Sequence, residues 1–506
     1  MKFNQLFVFA LISLLFLVQA NIITQNLKNS EPIQGQHEQT FDFQILDHFT
    51  GGPQTYWSQR WWAFPDYFNN KTGPLFLYIC GESTCKGLPS SRTFTKVLAE
   101  KYNGIVITLE HRFYGASQPF GQNDESYSTE NLKYLTHEQG LEDLAIFLQW
   151  IKDNKYYGVQ ENTPVITVGG SYPGAMSAWF RYKYRHLTIG GYASSAVVHA
   201  IEDFQDYDMQ VGISAGYSGQ YCTEDIKQIN DYVTRQLRNE ETAQALKTKF
   251  RAQNLGDDEF LEFFADIYSG LVQYGSAQKM CSNLQDKSIA QQLNYLATQS
   301  SDPDSYTVSY MQDTKYNINR NARQWTYQTC TAFGWFQTAN KANPFRSTKV
   351  DLDYFEQKCL DIFGDDYIPN VPQTNLIMGS TDLRVPNLIF TNGLEDPWQW
   401  ASIMDDVGSM NAYVAMCYTC AHCCDLSTPT ESQPVELTYV QDEVQATIGT
   451  WIEQYWAEEK GEDFVQQNFK KPERNQDQEF LQRLSDLEQQ YEKSIKDIFG
   501  KYIKVF

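Results

Sequence analysis

The chain has 506 residues, of which 42% are apolar and 15% aromatic. That composition excludes a disordered protein, and the length allows two domains or one large domain with an insertion. The formal net charge of −22 disfavours nucleic acid or an anionic membrane as a partner and suits a protein kept soluble in an acidic compartment.

The N-terminus predicts a secretory signal peptide over residues 1–20. Lys2 precedes an apolar run over 7–18, and small residues follow it. The run is shorter than the roughly 20 residues that span a bilayer, so we expect no membrane association after cleavage. The predicted location is the secretory pathway, lysosomal or extracellular, where the sequon at Asn70 is a glycosylation acceptor.

Residues 41–198 alternate between strand and helix patterns. The aromatic, alternating stretch over 41–64 predicts an antiparallel strand pair. The elements predicted after it are, in order, a strand over 75–80, a helix over 93–101, a strand over 104–109, a helix over 141–151, a strand over 165–168, a helix to about 186 and a strand over 190–196. Apolar strands alternating with helices predict an α/β fold with a mostly parallel sheet.

Residues 199–372 predict a helical cap domain inserted into this α/β core. The segment is polar and has no continuous strand-like run. Its predicted helices cover 224–237, 241–252, 257–272 and 288–298. The segment therefore separates two parts of one sheet.

Residues 373–458 predict the second part of the core. Strand patterns return at 388–391 and 412–416, and a helix over 442–457 closes the domain. The remaining tail, 459–506, is predicted to be an amphipathic helix, on the evidence of the apolar residues Phe480, Leu484, Leu487 and Tyr491. It packs on the body of the protein or on a partner, which leaves a homodimer as an open alternative.

The stretch around Ser171 predicts a nucleophile elbow. A β-branched run ends in Gly169 and Gly170, Ser171 follows, and a helix pattern begins. In such an elbow a strained turn holds the serine hydroxyl above the end of the sheet. Pro173 stands where a glycine is commoner, and an ordinary glycine-rich turn is the alternative interpretation.

The candidate base and acid follow from chain order. In an α/β-hydrolase the serine precedes the acid and the acid precedes the histidine. Only His199 and His422 lie downstream with room for an acid, and His422 follows the last predicted strand. Glu395 and Asp396 follow the strand before it. We choose Asp396, whose backbone is restrained by the next residue, a proline, and whose short side chain is easily fixed against an imidazole.

These residues predict covalent catalysis by acyl transfer. Asp396 orients His422, which removes the proton of Ser171. The developing oxyanion needs backbone N–H donors, and we expect them from Tyr172 and from the turn at Gly81. The chemistry requires no cofactor.

Ten cysteines in a secreted chain predict disulfides. Eight are candidates for pairing, in an order left open: Cys80, Cys85, Cys222, Cys281, Cys330, Cys359, Cys417 and Cys420. The cluster from Cys417 to Cys424 superficially resembles a zinc knot, but we expect pairing and no metal. Adjacent Cys423 and Cys424 are not expected to pair with each other.

Five motifs together resemble the prolylcarboxypeptidase family of serine peptidases, which includes lysosomal Pro-X carboxypeptidase, a dipeptidyl peptidase and the thymus-specific serine protease. The motifs are Gly169-Gly170-Ser171-Tyr172-x-Gly174, Glu110-His111-Arg112-Phe113-Tyr114-Gly115-x-Ser117, Trp325-x-Tyr327-Gln328-x-Cys330, Asn392-Gly393-x-x-Asp396-Pro397-Trp398 and Ala421-His422-x-x-Asp425-Leu426. The resemblance runs from about residue 41 to 455.

The resemblance implies an α/β-hydrolase core with a helical cap, the triad Ser171, Asp396 and His422, and peptide substrates with proline near a terminus. Glu82 matches a family glutamate beside the oxyanion turn, which makes it a substrate-binding candidate. Two departures stand out. Cys80 replaces a common glycine, with Cys85 as a candidate partner, and Ala332 replaces the glutamate usual in the family's Cys-Thr-Glu motif.

Three functions remain open from the sequence. The leading prediction is a serine exopeptidase that resembles a Pro-X carboxypeptidase, and the first alternative is a dipeptidyl peptidase that releases N-terminal X-Pro, with Glu82 as the acid for the amine. An inactive hydrolase-fold binding protein is a distant alternative, which the intact triad disfavours. A lipase or esterase is disfavoured by the polar insertion, because such enzymes carry an apolar lid.

Overall fold

The computed structural model describes residues 32–469 and three isolated positions, Gln482, Asp486 and Gln489. The predicted signal peptide and nearly all of the predicted tail helix, including Phe480, Leu484, Leu487 and Tyr491, lie outside the described residues. Within those residues, the helices are too short or too polar to span a bilayer.

An eight-stranded, mostly parallel sheet forms the centre of the molecule. Its strands are β1 (His37–Ile45), β2 (Tyr56–Phe64), β3 (Leu75–Ile79), β4 (Ile105–Leu109), β5 (Val165–Gly170), β6 (Gly190–Ser194), β9 (Leu388–Gly393) and β10 (Met410–Ala415). Their order is β1-β2-β4-β3-β5-β6-β9-β10, and only the pairs β1–β2 and β2–β4 are antiparallel. This is the α/β-hydrolase fold, as the sequence predicted.

Helices cover both faces of the sheet. The helices before β6 are α1 (Phe94–Tyr102), α2 (Thr129–Leu132), α3 (His137–Asp153) and α4 (Tyr172–Lys183). After β10 come α15 (Val435–Lys460) and α16 (Glu462–Asn468). Successive strand residues point to opposite faces, so Leu75, Leu77 and Ile79 join the hydrophobic cluster with α3 and α4, whereas Phe76 and Tyr78 join the cluster with α1 and α15.

The chain between β6 and β9 is mostly helical. Its helices are α5 (Gln205–Gly216), α6 (Gln220–Gln236), α7 (Glu240–Lys249), α8 (Asp257–Gln273), α9 (Ala277–Leu284), α10 (Ile289–Gln299), α11 (Val308–Gln312), α12 (Ala322–Gln328), α13 (Leu352–Phe363) and α14 (Val371–Met378). Their apolar side chains continue the cluster that α3 and α4 form on the sheet. The domain boundaries at 199–372 and 373–458 stay predictions.

The expectation of no strand in this segment was wrong. Two three-residue strands, β7 (Ile201–Asp203) and β8 (Gly334–Phe336), pair in parallel. Each is too short to show an alternating pattern, and each is fixed by a partner more than a hundred residues away. Pairing across such a separation is a tertiary effect that local sequence does not encode.

Four disulfides use the eight cysteines that the sequence analysis singled out. The pairs are Cys80–Cys85, Cys222–Cys281, Cys330–Cys359 and Cys417–Cys420. Cys423 and Cys424 carry free thiols. The pair within 417–420 takes up two of the clustered thiols that resembled a zinc knot.

Candidate active site

Ser171 occupies a strained turn between β5 and α4. Its backbone has φ 68° and ψ −131°, a combination that costs a non-glycine residue energy and is therefore concentrated at functional sites. Its N–H donates to the carbonyl of Ser194 on β6 at 2.9 Å. The surrounding sheet thus holds the strained residue in place and presents its side chain beyond the end of β5.

Small residues around Ser171 permit this turn. A β-carbon on Gly169 would lie 2.1 Å from the carbonyl oxygen of Pro173, and one on Gly174 would lie 2.7 Å from that of Ser194. Both distances are far below van der Waals contact. Pro173 falls in the first turn of α4, where its missing N–H has no partner to lose.

His422 and Asp396 form a buried pair beside this turn. His422 Nδ1 donates to both carboxylate oxygens of Asp396, at 2.9 and 3.0 Å, and the N–H of Trp398 donates to Asp396 Oδ1 at 2.9 Å. Burial lowers the pKa of His422, but the charge of Asp396 opposes it, and the net result is a pKa well above the usual value. Because the bond to the carboxylate keeps the hydrogen of the neutral ring on Nδ1, Nε2 is free to accept a proton.

Neither alternative residue takes part in this pair. Glu395 is buried with its Oε2 unpartnered, and burial raises its pKa to about 7. His199 Nδ1 lies 2.6 Å from Ser380 Oγ. Among the described residues no hydrogen bond joins Ser171 Oγ to His422, so the two meet only through the cavity that both line. Such contacts are often long before substrate binds.

The loop that carries His422 is anchored from three sides. The Asp425 carboxylate accepts hydrogen bonds from Tyr192, from Ser194 Oγ at 2.7 Å and from Thr391 Oγ1 at 2.6 Å. These donors lie on β6 and β9, so one buried side chain ties the loop to the sheet. The N–H of His422 donates to the carbonyl of Gln273 at 2.9 Å, which ties the loop to the end of α8.

The candidate oxyanion turn packs against the elbow helix. A β-carbon on Gly81 would lie 2.6 Å from Pro173 Cγ, so the turn can approach α4 this closely only because residue 81 is glycine. The Cys80–Cys85 disulfide closes the turn. Glu110 accepts from the N–H of Cys85 at 3.0 Å, which fixes the turn to the end of β4.

Tyr172 begins α4, where the first N–H groups have no intrahelical acceptor. Its buried side chain joins a chain of hydrogen bonds. His111 Nδ1 lies 2.9 Å from the carbonyl of Arg112 and must donate to it, so Nε2 accepts from the Tyr172 hydroxyl at 3.0 Å. Gln328 Nε2 donates to the same hydroxyl at 3.0 Å and its Oε1 accepts from Tyr114 at 2.7 Å. Burial lowers the pKa of His111 to about 4, which keeps the ring neutral.

The candidate active site opens into a cavity of about 1550 Å³. Ser171, His422, Gly81 and Glu82 line it. Further aromatic lining residues are Tyr78, Tyr274, Tyr310, Trp325, Trp335 and Trp398. The ring centroids of Trp335 lie 5.9 Å from Trp325 and 6.3 Å from Trp398, so the three indoles form one continuous wall.

Glu82 lies beside the oxyanion turn, as the resemblance implied. Its Oε2 is inaccessible and has no hydrogen-bond partner in the described part of the chain. Burial is the largest influence and raises its pKa, while the charges of Arg92 and His422 oppose this. Ala332 lies in the turn Thr329–Phe333 after α12, outside the cavity lining described. Asn70 is exposed in the turn before β3, and its glycan stays a prediction.

Several cavity residues were missed by sequence reasoning. Arg92, Tyr274 and Trp335 come from three separate segments and share no motif. Asp425 belongs to one of the family motifs, but the sequence analysis assigned it no role. It is a buried acid whose side-chain partners are hydroxyl groups from distant strands, and no local sequence pattern predicts such contacts. Cys423 follows His422, and a cysteine at that position indicates nothing beyond a small side chain.

Comparisons with known proteins show the family to which the chain belongs. A family model described as serine carboxypeptidase S28 matches residues 44–444. The probable serine protease EDA2 of Arabidopsis thaliana is 35% identical over 428 residues, 81% of this chain and 85% of that protein. Human lysosomal Pro-X carboxypeptidase is 25% identical over 442 residues, 82% of this chain and 88% of that protein.

The crystal structure of esterase B from Lactobacillus rhamnosis aligns with 90% of this chain and 98% of its own, at 10% identity and a TM-score of 0.35. A TM-score this low does not establish a fold, so the fold is assigned from the order of the strands in the sheet.

The sheet order and the strained serine at the end of β5 define an α/β-hydrolase. Within that class the chain belongs to the serine carboxypeptidase S28 family and is a serine-type peptidase.

Proposed function

We propose that this protein is a serine exopeptidase that hydrolyses the bond after a proline near a chain terminus, in the manner of a Pro-X carboxypeptidase. One observation carries the proposal. The strained Ser171 lines the same aromatic cavity as His422, and Asp396 pairs with that histidine. Ser171, Asp396 and His422 have the chain order and the local geometry that acyl transfer requires.

The proposed reaction proceeds in two halves. His422 Nε2 takes the proton of Ser171 as Oγ attacks the carbonyl carbon of proline, and the tetrahedral oxyanion accepts hydrogen bonds from the N–H groups of Gly81 and Tyr172. His422 then protonates the leaving amine, and an acyl-enzyme remains. In the second half His422 activates a water that releases the proline-ended product and restores Ser171.

The aromatic wall supports proline as the residue on the acyl side. A pyrrolidine ring is apolar and compact, and it donates no N–H when it sits within a chain. Indole faces such as those of Trp325 and Trp335 bury it without leaving a polar group unpaired. A side chain with a polar end would lose hydration against the same surface.

The alternative is a dipeptidyl peptidase that releases N-terminal X-Pro. The observation that favours it is Glu82, which lines the cavity and whose buried Oε2 has no partner in the described part of the chain, so a shift of its side chain would let it pair with a substrate ammonium. A secretory location, lysosomal or extracellular, is part of the proposal for either activity. It is supported by the four disulfides, which persist in oxidising compartments, and by the lysosomal relative.

The test uses one peptide with proline second from both ends. The purified protein is incubated with it and the products are weighed by mass spectrometry. Loss of one C-terminal residue supports the carboxypeptidase, and loss of an N-terminal dipeptide supports the alternative. A matched peptide with alanine at both proline positions is the control. Equal cleavage of both peptides, or cleavage at internal bonds, would contradict the proposal.

A further inference from the structure

The cavity reaches across the end of the sheet, between the clusters that cover its two faces. Trp335 and Trp398 belong to the cluster that includes the segment between β6 and β9. Tyr78 and Cys423 belong to the cluster on the opposite face. Ser171 follows β5 between them. A peptide attacked by Ser171 therefore has room for its acyl part on one side and its leaving amine on the other.

A cation lies on the side away from the indole wall. A β-carbon on Gly170, the residue before the nucleophile, would be 3.3 Å from Arg92 Nη1 and 2.8 Å from Cys423 Sγ. Arg92 lines the cavity with Tyr78 and Tyr274, and its guanidinium hydrogen-bonds to Tyr78. The positive charge is thus close to Gly170, the residue before the nucleophile, on the side that Tyr78 and Cys423 line.

No carboxylate of the described chain neutralises this cation. Arg92 forms no ion pair among residues 32–469, whereas the guanidinium groups of Arg112 and Arg346 each contact an aspartate. The buried Arg181 and Arg323 also lack a carboxylate partner, but each donates to backbone carbonyls, and the Arg92 guanidinium has no such bond within the described residues. Glu82 also lines the cavity and interacts electrostatically with Arg92, but the two form no ion pair in the described structure. A half-buried guanidinium without an anion is costly unless a ligand supplies one.

We propose that Arg92, with the hydroxyl of Tyr78, binds the free C-terminal carboxylate of the substrate. The inference rests on the proposed function and decides between its two forms. A guanidinium binds a carboxylate through two parallel hydrogen bonds. With proline against the indoles and the carboxylate on Arg92, Ser171 faces the last peptide bond of a chain ending in Pro-X. The substrate class is therefore peptides with a free carboxyl group one residue after proline.

The acids of the cavity fit an N-terminal amine less well. An X-Pro dipeptide places its ammonium on the acyl side, with the indole wall. Asp302, the other acid of the cavity lining, is exposed and caps a helical turn by accepting from the N–H of Asp304. Glu82 lies at the oxyanion turn, where its Oε2 is inaccessible, and the positive charge of Arg92 that acts on this carboxyl also repels an ammonium.

The experiment compares three substrates. The first is an N-blocked Ala-Pro-Phe with a free carboxyl group, the second is the same peptide as its C-terminal amide, and the third is Ala-Pro-anilide with a free amine. We expect kcat/KM for the acid to exceed that for the amide by about 10-fold or more, because hydrogen bonds to charged groups are worth this much. This comparison needs no variant, so it holds even if a substitution at Arg92 prevents folding.

Two variants localise the effect. Arg92→Gln should lower kcat/KM for the acid by about 10- to 100-fold and change the amide by less than about 3-fold, and Arg92→Lys should restore part of the loss. Lys86→Gln is the matched control, since Lys86 is an exposed cation on the same cavity. It should change neither substrate.

Every other outcome would overturn either the carboxylate site or the proposed function. Equal rates for acid and amide in the unmodified protein, or an equal loss for both in Arg92→Gln, would overturn the carboxylate site. Cleavage of the anilide alone would overturn it while leaving a proline-specific exopeptidase in place. If no proline substrate is cleaved although a fluorophosphonate still labels the protein, the proposed function itself fails and the inference fails with it.

Discussion

Two regions build the cavity by different means. The loops that follow β5, β9 and β10 are fixed by backbone strain and buried hydrogen bonds, as at Ser171 and Asp425. The segment over 199–372 contributes ring faces, such as Trp325 and Trp335, together with polar side chains such as Gln337. Hydrogen bonds join it to the loops around the cavity, among them the bond from the N–H of His422 to the carbonyl of Gln273 and the bond from Ser214 Oγ to the carbonyl of Glu395 at 3.1 Å.

This difference separates the tasks of the two regions. A hydrogen-bonded loop holds a reacting atom within tenths of an ångström, which proton transfer demands. A wall of ring faces selects by shape and hydration and tolerates small shifts. We therefore expect substitutions in the loops to abolish the chemistry, and substitutions in the wall to alter the choice of substrate.

The largest effect is expected at Ser171. Ser171→Ala removes the nucleophile, so kcat should fall by at least about 10⁴-fold while the thermal midpoint stays close to that of the unmodified protein. Steady-state hydrolysis of a Pro-X peptide measures the loss. Ser83→Ala, at an exposed serine on the same cavity, is the control. Turnover that survives Ser171→Ala would place the chemistry elsewhere.

Asp396→Asn should be almost as severe. An asparagine no longer holds the His422 ring with Nε2 unprotonated, and kcat should fall on the order of 10⁴-fold. Asp396 raises the pKa of His422 against the effect of burial. Activity is lost as pH falls through that pKa, so the acidic limb of the kcat/KM profile should move to lower pH in the variant. A limb that stays in place would show that Asp396 does not set this titration.

Gly81→Ala tests the oxyanion turn. The added methyl group would meet Pro173 at 2.6 Å, which displaces the turn and its N–H, and loss of one oxyanion donor costs about 10²- to 10³-fold in kcat. Gly51→Ala is the matched control, because a β-carbon there has no neighbour within 4 Å. Similar kinetics in both variants would contradict the role of the turn.

The smallest effect is expected in the aromatic wall. Trp325→Leu should lower kcat/KM for a proline substrate by about 10-fold and leave labelling of Ser171 by a fluorophosphonate unchanged. Trp150→Leu, at a half-buried indole of α3 away from the cavity, should leave both unchanged. A fall in labelling equal to the fall in peptide hydrolysis would show that the wall supports the chemistry itself.

Features that depend on local patterns were predicted from the sequence, and features that depend on packing between distant segments were not. The sheet, the elbow and the order of Ser171, Asp396 and His422 follow local patterns and a chain order that the fold imposes. Most strand bounds shifted by only one or two residues, and the largest shift is at β1, which begins at His37 and not at residue 41. The pairing of β7 with β8 and the meeting of Arg92 with Cys423 depend on packing between distant segments, which no local pattern records.

Labelling is the most direct test of the central claim that Ser171 is the nucleophile activated by His422. The full chain is treated with a fluorophosphonate and its digest is analysed by tandem mass spectrometry. We predict one adduct, on Ser171, and a much slower labelling rate in His422→Ala. An adduct on another serine, or labelling at an undiminished rate without His422, would contradict the account.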